Sequence, residues 1–238
     1  MPNLPKKFPR DICAYCGSSE NLSSDHVPPK NLFPKPRPSN TISVPACPEC
    51  HSGTSKDDEY FRLKICLRHD AGEHPSARAQ WDPIIRSLRK KDATGFRRQT
   101  LSDLRQVQLY TATGLYVSSR LAMDVEKSRI RRVVERTVRG LYFAEFCHPL
   151  GLSNGVLVLL EEDLDVQPRD FLDELKRTTL AAMATIAPKV IGDDVFQYRY
   201  LTTGENPLHS VWLISFYGQV DFLCVTGPGD PPSLQADI

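Results

Sequence analysis

The alternation of apolar and polar positions divides the chain into a turn-rich N-terminal part and a C-terminal part with long regular elements. Apolar residues at helical spacing predict helices over 56–69, 76–91, 125–147 and 168–186. Pro83 falls inside the second of these patterns, so that helix is expected either to begin there or to kink. Short runs of β-branched and aromatic residues predict a hairpin turning at Thr113-Gly114, followed by strands over 155–160, 195–201, 211–217 and 220–225. The tight turn Gly218-Gln219 is expected to join the last two strands.

These elements predict an α+β fold with two domains. The N-terminal domain, 1–92, holds a short hairpin and trailing helices. The C-terminal domain, 93–238, holds a small, mainly antiparallel sheet and two long helices. Ser55, just before the acidic run Asp57-Asp58-Glu59, has the residue type of an N-cap for the helix over 56–69.

Composition is ordinary, but charge is unevenly distributed. The 238 residues are 40% hydrophobic and 25% charged, with a net charge of +1, as in soluble globular proteins. No run approaches the roughly 20 apolar residues of a membrane span. Basic residues concentrate in the first two thirds and acidic residues in the last third. Either a polyanion binds the basic part, or each basic cluster is an ordinary solvated surface. The polar, proline-rich start lacks a signal-peptide pattern, which predicts a reducing, cytoplasmic location.

Four cysteines form two Cys-x-x-Cys pairs, Cys13/Cys16 and Cys47/Cys50. Such spacing lets each pair bind one tetrahedral ion, and four sulfurs leave no open coordination position. The pairs therefore predict a structural zinc site, with buried thiols or disulfides as the alternative. The 30 residues between the pairs exceed the usual zinc-ribbon gap of about 15–20, which indicates an insertion. Cys66, Cys147 and Cys224 lie in apolar segments and are interpreted as core residues.

The insertion contains residues suited to catalysis. Asp25 and His26 are adjacent, so on a strand their side chains point to opposite faces, one towards a metal ion and one towards a substrate. Carboxylate oxygens suit Mg²⁺ or Mn²⁺, and a histidine accepts a proton near neutral pH. Asn40 precedes the second pair and His51 follows its last cysteine. Taken alone, each of these residues has an ordinary structural explanation.

The order of these residues resembles that of HNH endonucleases of the ββα-metal type, over about residues 13–56. The resemblance implies a DNA-cleaving enzyme that leaves 5′-phosphate and 3′-hydroxyl ends. It implies that Asp25 and His51 bind a catalytic Mg²⁺ or Mn²⁺ and that His26 is the general base. It also implies that Asn40 orients His26, while the four cysteines bind a separate zinc ion.

A second interpretation remains open at this point: a zinc-knuckle module that binds nucleic acid or protein and does not cleave. The cysteines fit both, whereas Asp25, His26, Asn40 and His51 together favour the nuclease. The C-terminal domain is expected to choose the target, bind a protein partner or form a homodimer. A row of arginines in the helix over 125–147 has two interpretations, a phosphate-binding stripe or a solvated face: Arg129, Arg132, Arg136 and Arg139.

Overall fold

The computed structural model describes residues 8–160, 179–202, 204 and 206–229. Its strands are β1 (Ser23–Val27), β2 (Ile42–Ala46), β3 (Leu104–Tyr110), β4 (Tyr116–Met123), β5 (Asn154–Leu159), β6 (Lys189–Ile191), β7 (Phe196–Thr202), β8 (Ser210–Phe216) and β9 (Val220–Pro228). Its α-helices are α1 (Pro48–His51), α2 (Ser55–Leu67), α3 (Pro75–Arg78), α4 (Trp81–Leu88), α5 (Thr94–Ser102), α6 (Lys127–Phe146) and α7 (Ala181–Ala184). The predicted mixed helical and antiparallel-sheet fold is confirmed.

The strands form three separate antiparallel sheets. β1 pairs with β2, and β3 pairs with β4. The C-terminal sheet has five strands in the order β5-β9-β8-β7-β6. The predicted hairpin and the four predicted C-terminal strands all appear, including the tight connection between β8 and β9. The predicted helix over 168–186 lies mostly outside the described residues, and its described part contains α7.

Two local predictions are corrected. The expected helix over 76–91 is interrupted, because α3 ends at Arg78 and a new helix, α4, begins at Trp81. Pro83 lies in the first turn of α4, where its missing N–H costs no intrahelical hydrogen bond. Ser55 is not the N-cap of α2. It is the first helical residue, and the capping position belongs to Thr54, whose hydroxyl donates to the carbonyl of His51.

Helix α6 is the central packing element. Its apolar residues recur every three or four positions and are buried, as the sequence pattern predicts. They face β1, β2 and α2 on one side and strands β5 and β9 on the other. Gly140 lies directly against β1, since a Cβ atom there would be 2.4 Å from Cγ2 of Val27. The helix therefore joins the N-terminal hairpin to the C-terminal sheet.

One apolar core extends through both halves of the sequence. The ring of Phe61 on α2 lies edge-on to Phe216 on β8, with centroids 5.1 Å apart. The hydroxyl of Tyr217 donates to the carbonyl of Leu32 across 2.7 Å. The domain division at residue 92 stays a prediction, but the two parts share these buried contacts.

The β3–β4 hairpin is the exception to this packing. It pairs with no third strand among the described residues, and most of its side chains are exposed. In the part of the chain that the structure describes, no helix has both the length and the apolar character needed to cross a membrane.

Candidate metal centre and catalytic site

The four paired cysteines converge on one point. The Sγ atoms of Cys13, Cys16, Cys47 and Cys50 all lie within 4.8 Å of one another, and those of Cys16 and Cys47 are 3.6 Å apart. Sulfurs that bind a single tetrahedral zinc at 2.3 Å are about 3.8 Å apart. All seven cysteines lie in the described part of the chain and are free thiols, so none of them forms a disulfide, which was the alternative to zinc. The cluster could hold a metal ion such as zinc.

The ionisation of these thiols fits a cation site. Burial opposes the ionisation of Cys13, but backbone amides around it, led by that of Cys47, lower its pKa to about 7. Burial raises the pKa of the Cys50 thiol, and the neighbouring sulfurs of Cys47 and Cys16 add to the effect. A bound divalent cation would compensate for this crowding, because it stabilises the thiolate form.

The cysteine cluster also fixes the elements that carry the candidate catalytic residues. The first knuckle is tied to β2, because the amide of Ala14 donates to the carbonyl of Pro45 across 2.8 Å. Gly17 closes that knuckle at φ +82°, a conformation that glycine adopts without strain. Cys47 is the N-cap of α1, and Cys50 lies within that helix directly before His51. Metal binding at the cysteines would therefore orient the helix that presents His51.

Asp25 and His51 are brought together, as the resemblance implies. Asp25 is buried on β1, and its Oδ1 lies 3.4 Å from Nδ1 of His51 at the end of α1. That Nδ1 is buried and has no hydrogen-bond partner among the described residues. Two atoms that each bind one Mg²⁺ at about 2.1 Å lie about 3 Å apart at a right angle. The pair therefore fits two neighbouring ligands of one ion.

The other oxygen of Asp25 is already engaged. Its Oδ2 accepts a 2.6 Å hydrogen bond from the hydroxyl of Tyr15 and lies 3.7 Å from Nε of Arg136. Burial, together with the negative charge of Asp25, raises the pKa of Tyr15 well above its usual value, which keeps its donor proton in place. These contacts fix the rotation of the carboxylate and leave Oδ1 directed at His51.

His26 is the next residue on β1 and lies opposite Ser43 of β2, whereas Asp25 lies opposite Val44. The two side chains therefore leave the strand on opposite faces. The ring of His26 is half-buried, and its Nδ1 has no hydrogen-bond partner within the described part of the chain. Burial and then the charge of Lys30 lower the pKa of His26 below its usual 6.5. The imidazole is thus neutral at pH 7 and able to accept a proton.

Asn40 lies elsewhere. Its side chain is exposed, and its Nδ2 donates to the carbonyl of Val190 on β6 across 3.0 Å. This contact ties the segment before β2 to the C-terminal sheet. A direct contact between Asn40 and His26 is not part of this arrangement, so the implied orienting role stays a prediction.

The arginine row of α6 mainly forms ion pairs within the protein, a role that neither interpretation of the sequence included. Arg129 and Arg132 each donate to one carboxylate oxygen of Asp57, at 2.7 and 2.8 Å. Arg136 donates to Oδ1 of Asp58 and also approaches Asp25. The row forms ion pairs with the first turn of α2, which hold α6 beside the Asp25–His51 pair. Arg139 instead donates to the carbonyls of Gly151 and Asn154.

Three residues contact the site although the sequence analysis did not assign them to it: Tyr15, Asp58 and Arg136. Burial raises the pKa of Asp58 to about 6, and the positive charge of Arg136 only partly opposes this. The acidic run before Glu59 and the arginine row were both visible as patterns, but their pairing joins segments about 75 residues apart in the chain. Tyr15 is one of the two residues between Cys13 and Cys16, and nothing else in the sequence indicated a role for it.

The site is thus a cluster of four cysteines that could hold a metal ion, next to a carboxylate–histidine pair, with a second histidine on the other face of β1. Comparison of the chain with models of protein families, with curated proteins and with solved structures found no match in any of the three.

Proposed function

We propose that the protein is a metal-dependent endonuclease of the HNH type that hydrolyses phosphodiester bonds in DNA. The observation that carries the proposal is the 3.4 Å approach of Asp25 Oδ1 to the unpartnered Nδ1 of His51. His26 lies one residue away on the opposite face of β1, and the cysteine cluster is separate. A module that only binds nucleic acid has no need for this combination.

In the proposed reaction, Asp25 and His51 would hold Mg²⁺ or Mn²⁺. The ion supplies compensation for the negative charge that develops on the phosphate and on the leaving 3′ oxygen. His26 is neutral at pH 7 and accepts a proton from the attacking water as that water forms a bond to phosphorus. The bond from phosphorus to the 3′ oxygen breaks, and the leaving 3′ oxygen takes a proton from solvent. Tyr15 and Arg136 keep the carboxylate of Asp25 oriented but do not touch the substrate. Asn40 acts as a positioning residue, because it anchors the chain before β2 on β6.

The alternative of a non-cleaving zinc module keeps one observation in its favour. Arg136 lies 3.7 Å from Asp25, so the carboxylate already has a cationic neighbour and could be purely structural. Two features argue for the nuclease instead. Arg136 donates its hydrogen bond to Asp58, and Oδ1 of Asp25 stays directed at His51.

The test is plasmid nicking by the purified protein with Mg²⁺ or Mn²⁺, compared with His26→Ala. Loss of a general base is expected to lower the rate by about 10²–10⁴-fold. His69→Ala is the matched control, because His69 is exposed and remote in sequence from the paired residues. Zinc content is measured for each sample, so that an unfolded variant is not mistaken for an inactive one.

Cleavage by the wild type and His69→Ala, together with its loss in zinc-loaded His26→Ala, would support the proposal. Equal cleavage by all three proteins would show that His26 is not the base. Salt-sensitive DNA binding without cleavage, in the presence of either metal, would favour the zinc-knuckle binding module.

A further inference from the structure

The β3–β4 hairpin extends from the fold as an isolated two-stranded ribbon. Neither strand has a second neighbour among the described residues, so both of its edges are open. An isolated hairpin is marginally stable in water, and open edges promote association. Its base is nevertheless fixed, because Nζ of Lys64 on α2 donates to the carbonyl of Asp124 across 2.6 Å. The ribbon is thus presented outward from a firm base and is available to a partner.

One face of this ribbon is exposed from Gln106 to the turn. The strand register places eight side chains on this face, of which Leu104 and Met123 at the base are half-buried and the other six are exposed: Gln106, Gln108, Tyr110, Tyr116, Ser119 and Leu121. Their shared orientation is supported by contacts between them, since the rings of Tyr110 and Tyr116 are 5.9 Å apart and the Tyr116 hydroxyl lies 3.1 Å from Oγ of Ser119. Five of the six carry a hydrogen-bonding group, and one is purely apolar. This composition suits a polar partner better than an apolar protein surface.

The segment 84–123, which comprises the ribbon and the helical residues before it, is basic. On the ribbon itself, Arg105 forms an ion pair with Asp124 and Arg120 is exposed. Residues 84–123 contain eight lysines and arginines and only two aspartates, whereas the whole chain is nearly neutral. No acidic residue lies between Leu104 and Met123. Exposed basic side chains lie on the ribbon, at Arg120, and on the segments that precede it, at Arg98 and Lys91. This charge complements a polyanion.

The dimensions match duplex DNA. The major groove of B-DNA admits a two-stranded β-ribbon, and glutamine amides pair with adenine there. Helix α2 begins at Ser55, four residues after His51, and Lys64, which holds the base of the ribbon, lies nine residues further along that helix, about 14 Å at 1.5 Å per residue. That distance corresponds to about four base pairs. The base of the ribbon is therefore close enough to the Asp25–His51 pair for both to contact one DNA segment.

We infer that the β3–β4 ribbon is a duplex-DNA reader that inserts its Gln106–Gln108 face into the major groove. This inference rests on the proposed function, since it identifies the substrate as duplex DNA. Gln106 and Gln108 contact base edges. Arg120, which lies on the other face of the ribbon opposite Val107, reaches past the open edge of β4 to the phosphate backbone. The ribbon thereby places the duplex relative to the catalytic pair.

The test measures binding, independently of cleavage. A fluorescent 30-base-pair duplex of random sequence is titrated with protein, without added Mg²⁺ or Mn²⁺ and without chelator. Gln108→Glu places a negative charge on the reading face and is expected to weaken duplex binding roughly tenfold or more. Gln219→Glu makes the same change in the exposed turn before β9 and is expected to bind like the wild type. Arg120→Gln is expected to lower the slope of log affinity against log salt concentration by about one, which corresponds to the loss of one phosphate contact.

The inference would be supported if Gln108→Glu binds the duplex more weakly than the wild type while Gln219→Glu does not. This holds even if none of these proteins nicks DNA. Absence of nicking would then count only against the proposed nuclease. Equal duplex binding by wild type, Gln108→Glu and Arg120→Gln would overturn the inference. So would a wild-type molar mass of two chains that falls to one in Gln108→Glu, because the ribbon would then be an interface between copies.

Discussion

The Tyr15 hydroxyl donates a 2.6 Å hydrogen bond to Oδ2 of Asp25, which links the first cysteine knuckle to the candidate catalytic metal site. Tyr15 lies between Cys13 and Cys16, so any movement of the knuckle moves the donor. On the opposite side, His51 follows Cys50 directly. The two ligands proposed for the catalytic ion are therefore both attached to the structural cluster, one through a hydrogen bond and one through the chain.

Substitution Tyr15→Phe removes that hydrogen bond and preserves the ring. We expect it to lower the free energy of unfolding by about 1.5–3 kcal/mol, the usual contribution of a hydrogen bond to a charged group. Weaker Mn²⁺ binding, measured by calorimetry, is also expected because Asp25 loses its orientation. Tyr142→Phe is the matched control, since the buried Tyr142 hydroxyl has no hydrogen-bond partner in the described residues. An equal loss of stability in both variants would contradict this role of Tyr15.

Loss of one zinc ligand should disable both parts of the site. Cys50→Ser is expected to remove zinc, measured by elemental analysis, and to lower the melting temperature by about 10 °C, equivalent to roughly 3 kcal/mol or more. Nicking should be lost as well, because α1 no longer holds His51 near Asp25. Cys147→Ser, which alters a cysteine outside the cluster, should retain zinc. Full zinc occupancy in Cys50→Ser would show that the cluster does not use all four sulfurs.

Neighbouring aspartates on α2 should respond differently to pH. Burial opposes the ionisation of Asp57, but hydrogen bonds from Arg132 and Arg129 outweigh it and hold its pKa below the usual 3.8. The stability that its charge contributes is present above pH 3.8 and is lost only below that range. The destabilisation of Asp57→Asn, about 1–2 kcal/mol, should therefore be constant between pH 5.5 and 8.

Asp58 has the opposite shift, since burial raises its pKa to about 6. A raised carboxyl pKa contributes stability below pH 3.8, and that contribution falls as pH rises through 6. Relative to the wild type, Asp58→Asn should therefore become more stable by roughly 1 kcal/mol between pH 5.5 and 8. Urea unfolding of both variants at several pH values tests this. Parallel pH profiles for Asp57→Asn and Asp58→Asn would refute the assignment.

Gly140→Ala tests the close approach of α6 to β1. The new methyl group would lie 2.4 Å from Cγ2 of Val27, so strand or helix must shift. We expect a net destabilisation of about 1–2 kcal/mol in urea unfolding, despite the better helix propensity of alanine. Gly95→Ala in α5 meets no atom within 4 Å and should be neutral or stabilising. Adding Val27→Ala to Gly140→Ala should reduce the strain, and failure to do so would contradict the proposed contact.

The parts of the fold that could be predicted from sequence are those determined by local pattern. The two Cys-x-x-Cys pairs predicted the cluster because each pair is a local unit, and the apolar stripe of α6 predicted its length within about two residues. Pro83 indicated that the helix expected over 76–91 either begins there or kinks, and α4 does begin close to it, at Trp81. The separate short helix α3 was not expected, because the residue pattern gave no sign of a break between Arg78 and Trp81.

The remainder depends on contacts between distant segments, which a single sequence does not reveal. Arg132 and Asp57 are 75 residues apart, and Asn40 and Val190 are 150 residues apart. Charge patterning indicated an arginine stripe but could not distinguish phosphate binding, solvation and ion pairing, because all three place arginines on one helical face. The proximity of Asp25 and His51 was expected only through the family resemblance.

The contacts between the N-terminal hairpin and later segments also set an order for biosynthesis. β1 and β2 leave the ribosome long before the residues that later contact this part of the chain. Gly140 packs against Val27, the carbonyl of Val190 accepts a hydrogen bond from Asn40, and the hydroxyl of Tyr217 donates to the carbonyl of Leu32. The nascent hairpin therefore leaves part of its apolar surface uncovered while most of the protein is still being translated. A chain truncated before β6 would expose that surface and become a target for chaperones or proteolysis. The N-terminal hairpin that carries the candidate site is thus fully packed only after the C-terminal sheet has been synthesised.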